Sequence, residues 1–84
     1  MTNSKMDENV FKKLVAKALK VKISKINMKL KIGDLKEWDS LGHLAILGAL
    51  DKFTKGKASA IQGLGTTNSL KKTWETLKKN NLAK

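Results

Sequence analysis

Cysteine is absent from this chain of 84 residues, so neither a disulfide framework nor a Cys-based metal site can staple it together. A thiol-free chain suits a reducing cytoplasm, and helix packing must supply its stability. Arginine is absent too: all 18 basic residues are lysine. Arginine makes the bidentate base and phosphate contacts that nucleic-acid readers favour, so its absence weakens the nucleic-acid reading that a net charge of +11 invites. No hydrophobic run approaches the length of about 18 residues expected of a membrane span. The segment Met1-Thr2-Asn3-Ser4-Lys5 lacks the apolar stretch of a secretion signal. We therefore expect a soluble, cytoplasmic protein with no membrane insertion. His43 is the single histidine, which leaves no second His or Cys for a zinc site, and the scattered acids offer no carboxylate pair. Gly63 and Gly65 lack the strand-turn-helix setting of a nucleotide loop and read as a turn.

What is present fits one small domain spanning residues 1–84, with residues 1–6 expected to be flexible and 80–84 frayed. A core of this size leaves little room for an independent multi-residue active site. Charge is unevenly spread: the net formal charge is +6 over residues 1–37, −1 over 38–53 and +6 over 54–84. The lysines read mainly as solvated helix faces.

Apolar periodicity predicts an all-α protein. From about Glu8 to Leu19, Phe11, Leu14, Val15, Ala18 and Leu19 form one stripe, with Lys12, Lys13, Lys17 and Lys20 on the other side and Asp7 and Glu8 at the positive end. A second helix is expected from Leu41 to about Phe53, with Leu44, Ile46, Leu47 and Leu50 inward. A third long helix starts near Asn68-Ser69, both good N-cap types, and carries Leu70, Trp74 and Leu77. A short helical turn is expected around Ala58 to Leu64. Residues 21–39 form a long link in which Val21, Ile23, Ile26, Met28, Leu30, Ile32 and Leu35 are apolar anchors, predicting a loop laid across the bundle. The Val21-Lys22-Ile23 alternation leaves an isolated strand open there.

The string Trp38-Asp39-Ser40-Leu41-Gly42-His43-Leu44 sits where this polar link gives way to the second helix. Asp39-Ser40-Leu41 resembles the attachment motif of acyl carrier proteins, and the longer string looks like the variant in free-standing carriers. The helix order extends the resemblance over nearly the whole chain. It implies a small four-helix acyl-carrier-like bundle with a long loop between helices 1 and 2. It also implies a 4′-phosphopantetheine arm on Ser40, with Asp39 helping the modifying transferase and its magnesium engage the site. A helix N-terminus suits the phosphodiester of such an arm, since it offers unpaired N–H groups and a positive dipole. The arm would bring the thiol that the chain lacks. Asp39 or Ser40 could equally act simply as the N-cap of the helix.

On this resemblance the chain is not an enzyme; it holds an acyl or aminoacyl thioester for a specialised biosynthetic pathway. Its partners would be a phosphopantetheinyl transferase, an acyl- or aminoacyl-activating ligase and a downstream acyltransferase or synthase, and the protein would be a monomer. Familiar carriers place acids along the helix after the serine, whereas here that stripe reads Leu41, Ala45, Gly48 and Lys52. Docking through shape and apolar contact at Leu41, Ala45 and Gly48 is the expectation. Gly42 and Gly48 suggest local mobility or close approach of a partner backbone. Leu44, Ile46, Leu50, Ile61 and Leu64 are candidates for lining a sheltered acyl chain, and also for plain core. His43 follows Ser40 by three residues on one helix, which supplies neither an oxyanion hole nor an orienting acid for hydrolysis. Trp38 and Trp74 read as packing anchors. The competing class is a lysine-rich helical nucleic-acid-binding module; a third reading is a carrier-like adaptor that is never modified.

Overall fold

The structure, a computed structural model, describes residues 6–84. Three α-helices make the bundle: α1 (Glu8–Leu19), α2 (Ser40–Phe53) and α3 (Leu70–Lys79). Helix α1 starts because the Asp7 carboxylate accepts from the Val10 N–H at 2.8 Å, which meets one of the donors that a helix start leaves free. It ends at Lys20, which takes the left-handed conformation at φ 60° so that its N–H can turn back to the Ala16 and Lys17 carbonyls. At α3 the cap is Ser69, whose hydroxyl accepts from the Lys72 N–H at 3.1 Å.

The expected fourth helix does not form. Residues 58–66 instead make two separate 3-10 turns, Ala58–Ala60 and Leu64–Thr66. Gly63, between them, sits at φ 90°, a conformation open to glycine and incompatible with a continuing right-handed helix. Among the described residues there is no strand, only two isolated bridges, Met6 with Ala83 and Lys31 with Ser69. The strand left open at Val21-Lys22-Ile23 is absent, and a 3-10 turn spans Ile23–Lys25.

The core joins Phe11, Val15 and Leu19 of α1 to Ile46 and Leu50 of α2 and to Leu70 and Leu77 of α3. Helices α1 and α2 form the main helix-to-helix contact. Trp38 is fully buried at the end of the long link. Trp74 is half-buried and packs against Phe11 with ring centroids 5.1 Å apart. The link does cross the bundle, anchored by Ile26 and Leu30, while Ile23 and Ile32 remain exposed. Its far half is tied to α3, with the Leu70 N–H donating to the Leu30 carbonyl and the Ile32 N–H to the Asn68 carbonyl. Met6 lies against the C-terminal residues: it is buried, its N–H donates to the Leu82 carbonyl and its carbonyl accepts from the Lys84 N–H. The expectation for residues 1–5 lies outside the described residues.

Candidate functional site

The start of α2 settles which residue caps the helix. Asp39 is extended and its carboxylate accepts from the Gly42 N–H at 2.8 Å, while its carbonyl accepts from the His43 N–H at 2.8 Å. Ser40 is therefore the first helical residue and not the cap. Its side chain is exposed, and no hydrogen bond among the described residues engages its hydroxyl. The Ser40 and Leu41 N–H groups, in the first turn, have no intrahelical acceptor, so the positive end of the helix is open to an anion.

Gly42 explains how the link reaches this point. A Cβ at Gly42 would collide with the Glu37 carbonyl oxygen and lie 2.9 Å from Leu19 Cδ2. The glycine thus lets the last turn of the link press onto the first turn of α2. The close approach expected at Gly42 is made by this chain's own backbone. Gly48 has nothing within 4 Å of the same added atom and is exposed.

Beneath Ser40, one turn into α2, His43 is buried at 7% exposure. Its Nδ1 accepts from Trp38 Nε1–H at 3.2 Å, and the two rings lie 6.1 Å apart with a 24° interplanar angle. With Nδ1 accepting, the neutral imidazole carries its proton on Nε2. That Nε2 is buried with no partner in hydrogen-bonding geometry; a buried donor left unmet costs about 1–3 kcal/mol. Burial pushes the His43 pKa below its ordinary value, and the backbone of Gly65 and Leu64, too poorly placed for a formed bond, opposes that shift only in part. With its Nδ1 turned to Trp38, His43 is not arranged to activate Ser40.

Two grooves run between α2 and the 3-10 turns. The one at Ser40 has a volume of about 390 Å³ and is walled by Ile32, His43, Leu44, Leu47, Gly65, Thr66, Thr67 and Asn68. The next, of similar volume at about 390 Å³, shares Leu44, Leu47 and Gly65 and continues to Gly48, Asp51, Ala58, Ser59, Ile61 and Leu64. Of the expected lining residues, Leu44, Ile61 and Leu64 are here, whereas Ile46 and Leu50 are fully in the core. Leu47 lines both grooves and was expected to point plainly inward, as was Leu44, which is 63% exposed. The expected docking residues Leu41, Ala45 and Gly48 are all exposed, Leu41 at 76%. With Leu44 they form an outward apolar stripe at i, i+3, i+4 and i+7.

The groove wall is clamped by residues that periodicity did not single out. Thr73 of α3 is fully buried; its hydroxyl donates to the Ser69 carbonyl at 2.9 Å and meets the Thr67 hydroxyl at 2.8 Å, which in turn reaches the Leu64 carbonyl at 2.9 Å. Two hydroxyl protons serve these three contacts, so two bonds form at a time. A threonine on the inner face of an amphipathic helix is the sequence signal for such a clamp.

Among the described residues no group of three or more His, Cys, Asp or Glu side chains could hold a metal ion, and no helix is long and apolar enough to cross a membrane. Fold and site together describe a small helical bundle whose central helix opens on a free serine hydroxyl beside an apolar groove. A scan of family models and searches of curated proteins and of solved structures find no match to this chain.

Proposed function

We propose that this protein is an acyl carrier: Ser40 accepts a 4′-phosphopantetheine arm, and the arm carries an acyl or aminoacyl group as a thioester between enzymes of a specialised biosynthetic pathway. One observation carries the reading. Asp39 takes the cap, so the Ser40 hydroxyl stands exposed and unengaged at the positive end of α2, beside an apolar groove. The residues fit the arm, since the first turn of α2 would hold its phosphate and the groove could shelter the attached chain. The arm supplies the thiol; the protein presents the hydroxyl and catalyses nothing. A phosphopantetheinyl transferase would install the arm, with Asp39 at the point of approach. A ligase and a downstream acyltransferase or synthase would dock on the stripe of Leu41, Ala45 and Gly48.

Intact mass after incubation with CoA, magnesium and a broad-specificity phosphopantetheinyl transferase tests the proposal. The expected result is a gain of one arm, lost in Ser40→Ala with helicity unchanged. No gain across several transferases, or a gain that survives Ser40→Ala, would overturn it.

A further inference from the structure

His43 Nε2 is the one buried side-chain polar atom among the described residues without a hydrogen-bond partner, and His43 forms part of the groove at Ser40. Its tautomer is set from the other side, because Trp38 Nε1–H donates to Nδ1 and leaves the proton on Nε2. The imidazole is therefore a fixed donor, oriented by a fully buried indole. Beside the imidazole lies the backbone of Leu64 and Gly65, in the 3-10 turn that follows Gly63 at φ 90°. That turn carries no side chain at Gly65, where an added Cβ would only touch Leu47 at 3.7 Å. Its Leu64 side chain is anchored in the core beside Leu70 and Leu77 of α3, and the residue after it, Thr67, meets Thr73 hydroxyl to hydroxyl, while Gly65 between these anchors is exposed. A small rotation of the exposed Gly65 backbone, with Leu64 kept in the core, would bring Nε2–H to the groove, and an oxygen acceptor entering there would meet a donor that makes no formed hydrogen bond.

We infer that His43 reads the cargo: Nε2–H donates a hydrogen bond to an oxygen close to the thioester end of the arm-bound group, so that the groove at Ser40 selects acyl chains bearing a carbonyl or hydroxyl oxygen there over plain saturated ones. This rests on the carrier reading of Ser40. The remainder of the groove, with Leu44 and Leu47, would take the apolar part of the chain. Sites built around a buried donor discriminate against ligands that leave it unpaired, which is why one imidazole can set a preference.

Acetoacetyl-CoA and butyryl-CoA differ in the β-carbonyl, and a promiscuous phosphopantetheinyl transferase can install either acyl-arm on the whole protein. Nitrogen-15 and proton NMR of the His43 side chain then reads the donor directly. In the acetoacetyl form the Nε2–H resonance should move downfield and exchange with water about tenfold more slowly than in the butyryl form, the factor given by one ordinary net hydrogen bond. His43→Phe should abolish the difference in melting temperature between the two acyl forms. Equal Nε2–H behaviour in both forms, or a slow, downfield Nε2–H already present before any acyl group is attached, would overturn the inference even with the arm on Ser40. No arm on Ser40 with either donor would overturn the carrier reading, and this inference with it.

Discussion

Gly42 and Gly48 lie on the same helix and carry opposite consequences. At Gly42 an added methyl meets the Glu37 carbonyl, a backbone atom that can yield only if the whole last turn of the link moves. Gly42→Ala should lower stability by about 1–3 kcal/mol, the usual range for overpacking. At Gly48 the space is open and the helix gains from alanine, so Gly48→Ala should raise stability by about 0.5–1 kcal/mol. Denaturant midpoints of the two variants check the pair, and a loss at Gly48 would show that its backbone is not simply helical and free. His43 gives a second prediction at this scale. Its pKa is lowered in the folded protein from an ordinary 6.5 by burial, so below that value the unfolded chain takes up the proton first. Its contribution to stability is fully present above pH 6.5 and is lost as pH falls from there through the lower folded value. Unfolding midpoints followed from about pH 8 to about pH 5 should therefore drop toward acid, and His43→Gln should flatten that slope. An unchanged slope in the variant would place the acid sensitivity elsewhere.

Among the elements, each α-helix is followed by a non-glycine residue in the left-handed region: Lys20 after α1, Lys55 after α2 and Asn81 after α3. Lys20 holds φ 60° to make its two closing hydrogen bonds, and a side chain in this region costs about 1 kcal/mol or more relative to glycine. Lys20 is exposed, so its side chain has little packing to lose. Lys20→Gly should raise the unfolding midpoint by the equivalent of up to about 1 kcal/mol; a lower midpoint would mean that the lysine side chain contributes more than its backbone strain removes. Helix α2 adds a side-chain cap just before its left-handed Lys55. The buried Thr54 hydroxyl donates to the Leu50 carbonyl at 2.8 Å and accepts from the Ala58 N–H at 2.9 Å. One side chain thus closes the central helix and opens the segment that walls the groove, which ties the far end of the site to the core.

Over the whole of the described molecule, lysines surround the site without lining either groove. Every described lysine except Lys12 is exposed, and the one ion pair among the described residues joins Lys12 to Glu8 at 3.8 Å. Lysines so placed are free to meet acids on a partner, where rim charges steer encounter while an apolar centre sets the fit. The outward stripe of Leu41, Leu44, Ala45 and Gly48 would be that centre. On the carrier reading, Ala45→Glu should leave helicity intact and lower kcat/KM for loading by the protein's own ligase by about tenfold, the scale of one misplaced interface charge. Unchanged or faster loading would show that partners of this carrier read acids on α2 instead.

The sequence by itself determined the type and nearly the bounds of the three α-helices, because a 3.6-residue apolar stripe and a capping side chain are local features. Phe11 and Leu19, the acid at Asp7 and the hydroxyl at Ser69 were enough to delimit α1 and the start of α3. It also singled out Asp39 and Ser40 as the point of interest. Tertiary structure decided which of them caps the helix. Whether aspartate or serine caps α2 depends on how the link arrives, and Glu37 pressed against Gly42 sets that arrival. The same route buries Trp38 against His43, fixes the imidazole tautomer and leaves Nε2 unmatched. Leu44 is exposed on the rim of grooves whose other wall is two short turns broken by Gly63 rather than a helix. Periodicity reports which residues share a face; only the path of the loops decides what that face meets.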